Sequence, residues 1–128
     1  DFLREAGQQV VGVNVAEAAT GADKSGRLRF KNLRSELVWR MREALDPANN
    51  TGIALPPSKQ LLADLTAYTW SLSGSTIYVA SREQIMERIG RSPDYGSAYV
   101  LALIDTPKRG LFPTRKPRGN YDPYANLR

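Results

Sequence analysis

The sequence predicts an α/β fold, and three observations carry that expectation. Apolar residues recur at helical spacing in several segments, two short segments alternate at period two around a Ser-Gly turn, and one segment near the start is dense in β-branched residues. With 41% hydrophobic residues in 128, the chain can bury a core and is not expected to be disordered throughout.

Asp1 to Ala6 reads as the end of a helix, stopped by Gly7. Gln9 to Val15 is expected to be a buried strand, which would make the first fifteen residues the αβ half of a βαβ unit whose first strand precedes Asp1. Ala16 to Leu28 reads as a loop, with Gly21, Gly26 and the cations Lys24 and Arg27, and Arg29 follows it. Asn32 suits the cap of a helix over 33–45, with Leu33, Leu37, Val38, Met41, Ala44 and Leu45 on one face. Ser58 caps a second helix bearing Leu61, Leu62 and Leu65 on one side. Tyr68–Leu72 and Thr76–Ala80 form a hairpin around Ser73-Gly74. Ser81 with Gln84 makes a capping box for a helix whose Ile85, Met86 and Ile89 face inward, and Gly90 stops it. Ser92-Pro93-Asp94 starts the last helix as cap, first-turn proline and first-turn acid. The apolar run Ala98–Ile104 implies that this helix is buried on most sides.

Composition removes several chemistries. There is no cysteine and no histidine, so thiol nucleophiles, imidazole bases, disulfides and the usual zinc sites are excluded. A metal would have to rest on oxygen ligands, which suits magnesium or manganese. No segment reaches the roughly 18 apolar residues of a membrane span, and Asp1-Phe2-Leu3-Arg4-Glu5 does not read as a signal peptide. The net charge of +5 is concentrated: Lys108, Arg109, Arg115, Lys116, Arg118 and Arg128 face Asp122 alone in residues 107–128, leaving residues 1–106 neutral. The chain therefore divides into a body, 1–106, and a basic, Pro-rich tail, 107–128, expected to be disordered or to dock.

Arg91-Ser92-Pro93-Asp94, followed by small residues and Ala98-Tyr99-Val100-Leu101-Ala102-Leu103, resembles the last motif of the large subunits of tailed-bacteriophage terminases. Phe30 to Trp39 matches the same family. So does Ile53-Ala54-Leu55-Pro56-Pro57, with the Leu61–Leu65 helix and the Ser81-Arg82-Glu83 helix start, in the same order. The ordered set spans roughly residues 8–106. The resemblance implies the C-terminal part of a ribonuclease H-like nuclease domain, its N-terminal strands absent from this chain and its final helix buried against the sheet.

The implied activity is metal-dependent endonucleolytic cutting of concatemeric phage DNA during packaging, in the host cytoplasm during virion assembly. Double-stranded DNA, the portal protein and the terminase small subunit are the implied partners, and no membrane is involved. Asp94 matches the family's last acidic ligand of a pair of magnesium or manganese ions. The family's first two acids have no counterpart here, and the place of a further acid three residues after the aspartate is taken by Ser97. The chain by itself is therefore expected not to cut DNA. It also lacks a Gly-x-x-x-x-Gly-Lys-Ser/Thr phosphate loop.

Other residues admit two readings. Asp94 also suits a helix start on electrostatic grounds alone. Asp46, Asp64 and Asp105 read as ordinary helix-end or surface acids. Lys24, Arg27 and Arg29 suit phosphate contacts or a solvated loop. Arg91 could reach a scissile phosphate or pair with Glu87 one turn back. Trp39 and Trp70 are expected to pack in or beside the core. Lys108, Arg109, Arg115, Lys116 and Arg118, interleaved with Phe112, Tyr121 and Tyr124, suit DNA binding, portal docking or a solubilising end equally. Two further alternatives are a non-catalytic DNA- or portal-binding terminase fragment and a resolvase-type nuclease outside phage.

Overall fold

The computed structural model describes residues 2–8, 10 and 12–104. A four-residue helix α1, Phe2–Glu5, stands in a unit separate from the compact one formed by Gly12–Ile104. The expectations for the tail at 107–128 fall outside the described residues.

The unit Gly12–Ile104 is α/β, with a small mixed sheet in the order β1-β3-β2. β1 is Arg29–Phe30, β2 is Trp70–Ser73 and β3 is Thr76–Val79. β2 and β3 form the antiparallel hairpin that the alternating pattern predicts, with Ser73 opposite Thr76 across the turn. β1 joins β3 in parallel, Phe30 beside Ile77.

The described members of the segment Gln9–Val15, residue 10 and residues 12–15, do not form the strand that its β-branched residues suggest, and Val13 is 42% exposed. A β-branched run becomes a strand where a ladder and a half-buried surface await it. Here the chain is used differently. The carbonyls of Val15 and Glu17 accept the N–H groups of Arg34 (2.9 Å) and Leu33 (2.8 Å). Together with Asn32 Oδ1, which accepts from Ser35 N at 2.9 Å, they satisfy the first amides of α2, Leu33–Leu45.

α2 is the central layer of this unit. Trp39 faces the sheet in a cluster with Phe30 and Ile77, while Leu37 and Met41 on the other side pack with Val100. Ser35, fully buried, accepts Val79 N–H on its hydroxyl at 3.3 Å and ties helix to strand. Buried Glu36 pairs with Arg40 at 2.7 Å beneath the loop at Gly21, where a Cβ would lie 2.3 Å from Oε1. The single apolar face expected of α2 is thus two faces. Complete burial of side chains such as Leu37 and Ile77 is worth about 1.5–3 kcal/mol each.

α3, Lys59–Thr66, and α4, Arg82–Ile89, start where their caps say. Ser58 Oγ accepts Leu61 N–H at 3.2 Å at the head of α3. Ser81 and Gln84 exchange both bonds of a capping box at the head of α4, and Gly90 ends it with φ 74°. Leu61 and Ile85 are buried as expected, but two facing assignments differ: Leu62 of α3 and Met86 of α4 are exposed.

The last helix, α5, is Asp94–Leu101 and also departs from expectation. Pro93 rather than Ser92 is its cap, and the Ser92 hydroxyl donates to the Asp94 carboxylate instead of accepting a helix amide. α5 is not buried on most sides: Gly96 and Val100 are its buried residues, and Leu101 is exposed. It packs on α3 and α2 rather than on the sheet, because α2 already occupies that position. Among the described residues, no helix is long and apolar enough to cross a membrane.

The loop between 16 and 28 is ordered by one carboxylate. Asp23 Oδ1 accepts the N–H groups of Leu28 (2.9 Å) and Arg27 (3.1 Å), and Ser25 Oγ donates to Oδ2 at 2.8 Å. These bonds, Leu28 N–H foremost and against a burial effect of opposite sign, hold the Asp23 pKa below its ordinary value of 3.8. A depressed carboxylate contributes stability that is complete above the unfolded value and lost as pH falls through the folded one. The Asp23 side-chain carbonyl carbon, followed by NMR, should therefore titrate below 3.8. A midpoint at or above 3.8 would contradict this account of the loop.

Candidate functional site

Asp94 is the first residue of α5, exposed, with Ser92 Oγ donating to its Oδ1 at 2.5 Å. The same hydroxyl accepts from Arg82 Nη2 at 2.6 Å, so Arg82, Ser92 and Asp94 form a short polar chain between the heads of α4 and α5. Asp94 lines a cleft of about 390 Å³ together with Arg34, Tyr68, Arg82 and Ser97. The floor includes Val15, Leu37 and Val100, so α2 and α5 form its apolar walls.

Arg34 is the second ordered cation of the cleft. Its Nη1 donates to the Ala80 carbonyl, and its guanidinium lies 5.5 Å from the centre of the Tyr68 ring. Burial pulls its pKa down from the ordinary value, opposed by Tyr68 and Glu83. Neither Arg34 nor Arg82 forms an ion pair with a carboxylate among the described residues.

A larger groove, about 1010 Å³, runs along Trp39, Met41, Leu61, Leu65 and Trp70. It is predominantly apolar, with Arg42, Asp46 and Lys59 as its charged lining residues, whereas the smaller cleft sets one carboxylate beside two arginines against apolar walls and is the better candidate for chemistry despite its size. Trp39 and Trp70 meet edge to face there at 4.8 Å, with Arg42 4.4 Å over Trp39. Trp39 packs in the core as expected, and Trp70 is half exposed beside it.

Asp64 is the residue that sequence reasoning missed. Expected as a surface or helix-end acid, it is completely buried. Its Oδ2 accepts Gly96 N–H at 3.0 Å, and its Oδ1 lies 2.6 Å from Arg91 Nη2. The Arg91 contact is an ion pair without an aligned hydrogen bond, so Oδ1 has no other polar partner among the described residues. Arg91 thus pairs with Asp64 of α3 and not with Glu87. It also donates to the carbonyls of Ser92 (3.2 Å) and Gln60 (3.4 Å), which commits it to holding the α5 entry. One signal for Asp64 was available: Leu61, Asp64 and Leu65 share a helical face, and an acid on an apolar stripe needs a buried partner.

α5 lacks a capping side chain of its own, and Asp64 supplies the acceptor from the neighbouring helix. The closeness this requires explains Gly96, where a Cβ would stand 2.7 Å from Asp64 Cβ. Gly96→Ala should destabilise the unit by about 1–3 kcal/mol through overpacking, in spite of alanine's better helix propensity. A urea melt checks this; equal or greater stability would contradict the close approach of α3 and α5.

The other cations expected at a site lie elsewhere. Lys24 donates through Nζ to Asn49 Oδ1, and its backbone amide donates to Glu43 at 2.9 Å. Arg27 and Arg29 are exposed, and none of the three lines the Asp94 cleft. Lys108, Arg109, Arg115, Lys116 and Arg118 lie outside the described residues. Among the described residues no three acids gather to hold a metal ion.

No family model matches the chain, and no curated protein or solved structure matches it either.

Proposed function

We propose that this chain is the C-terminal part of a ribonuclease H-like nuclease domain in the large subunit of a tailed-phage terminase. The observation that carries the reading is the placement of Asp94. Within the resembling motif it is the acid expected to act, and it stands exposed on the rim of a cationic cleft, oriented by Ser92 and Arg82. An acid serving merely as a helix-start charge would need neither the cleft nor the polar chain.

In this proposal Asp94 contributes one carboxylate to a magnesium or manganese pair, and acids upstream of this chain contribute the others. Such a pair stabilises the attacking and leaving oxygens of a phosphodiester. Asp94 alone does not hold it, so the chain by itself is inert and the complete domain cuts concatemeric DNA. The setting is the host cytoplasm during virion assembly, with double-stranded DNA, the portal protein and the small terminase subunit as partners.

The test is plasmid cleavage in manganese by this chain and by a form extended upstream through the family's first acidic strand. Cutting by the extended form alone is expected. The second reading, a non-catalytic DNA- or portal-binding fragment, is favoured by the lack of converging acids among the described residues. It gains if neither form cuts.

A further inference from the structure

We infer that the cleft beside Asp94 binds a phosphate group, with Arg34 and Arg82 as its ligands. The two guanidiniums come from different helices, α2 and α4, and line one concavity of about 390 Å³. Asp94 is the sole acid among its described lining residues, so the cleft carries an excess of positive charge.

Arg34 is half-buried against Tyr68 and apolar walls, and it has no carboxylate partner among the described residues. A guanidinium drawn from water without a counter-ion is unfavourable, and the downward pull of burial on its pKa expresses the same cost. Glu83 acts on it electrostatically without pairing. An anion entering the cleft would supply the missing charge.

The donors suit an oxyanion. A guanidinium has five N–H donors in a rigid fork. Arg34 is bound to Ala80 O through Nη1, and Arg82 to Ser92 Oγ through Nη2, which orients both while leaving donors unused. The Ser97 hydroxyl stands on the same lining. Low-dielectric walls from Val15, Leu37 and Val100 strengthen the field at that point. That the anion is a backbone phosphodiester rests on the nuclease reading; that an anion binds does not.

The experiment titrates the ¹⁵N-labelled 128-residue chain with inorganic phosphate and, separately, with dimethyl phosphate. The Nε–Hε signals of Arg34 and Arg82 are assigned through Arg34→Lys and Arg82→Lys, with Arg88 as the reference. Both signals should move together and saturate with one apparent Kd, while Arg88 moves little. Arg82→Gln, an exposed position, should weaken binding roughly tenfold, and Asp94→Asn should tighten it by removing a like charge. The backbone amide spectrum of each variant reports that it is folded. Shifts that do not saturate, or that Arg88 shares, overturn the site. Binding of inorganic phosphate alone overturns the diester assignment. Cleavage by the extended protein with silent arginine signals removes this proposal and leaves the nuclease, whereas saturating signals without cleavage do the reverse.

Discussion

Asp64→Ala should cost the folded unit about 2–4 kcal/mol, a large share of the 5–15 kcal/mol typical of a domain. The substitution leaves the buried Gly96 N–H without an acceptor, which alone is worth about 1–3 kcal/mol. It also strips Arg91 of its partner. Removing one side of a fully buried pair costs about 3–5 kcal/mol, but the Arg91 side chain is 39% exposed and can return to water, so that part is discounted. Asp64→Asn keeps an acceptor for Gly96 and should lose about half as much. The check is a pair of urea melts with unchanged slope and lowered midpoint. A loss below about 0.5 kcal/mol for the alanine variant, the range of an ordinary surface change, would contradict the role of Asp64 in joining α3 to α5.

Asp94→Ala carries the largest functional effect. If the chain belongs to a terminase nuclease, as proposed, the variant of the complete protein should cut DNA roughly a thousandfold less or worse, since a metal pair would contribute several kcal/mol of transition-state stabilisation. Its structural cost should be small. Asp94 is exposed, and its removal frees the Ser92 hydroxyl to bond elsewhere. Helix-start electrostatics account for no more than about 0.3–1 kcal/mol. A large loss of cutting with near-normal stability is therefore the signature of a chemical role, and on the proposed terminase reading ATP hydrolysis by the complete protein should be largely retained.

How much of this was legible in the sequence depends on the range of the interaction. Asn32, Ser58 and the Ser81–Gln84 box each satisfy amides within three residues, so their helices start where local chemistry says. The Ser73–Thr76 hairpin follows from period-two alternation and a glycine at φ 60°. The α/β class was legible for the same reasons.

Longer-range facts were not. α2 buries Trp39 toward the sheet and Leu37 toward α5, and a single stripe of apolar residues cannot announce that a helix lies between two layers. Gln9–Val15 looks like a strand by composition, yet the carbonyls of Val15 and Glu17 serve the head of α2. Ser92 is a good cap by type, but Asp64, from 28 positions upstream, takes the α5 amide that a cap would accept at a distance no local rule can see. Of the proposed site, Asp94 was singled out by the motif resemblance, whereas Arg34 and Arg82 are brought to the same cleft by the packing of α2 and α4.

The most direct test of the central claim compares the upstream-extended protein with its Asp94→Ala variant. Both are assayed for nicking and linearisation of supercoiled plasmid in manganese, with magnesium and chelator controls. The account predicts cutting by the first, none detectable by the second, and matching urea melts for the two. Undiminished cutting by Asp94→Ala would contradict it and return Asp94 to the status of an ordinary helix-start aspartate.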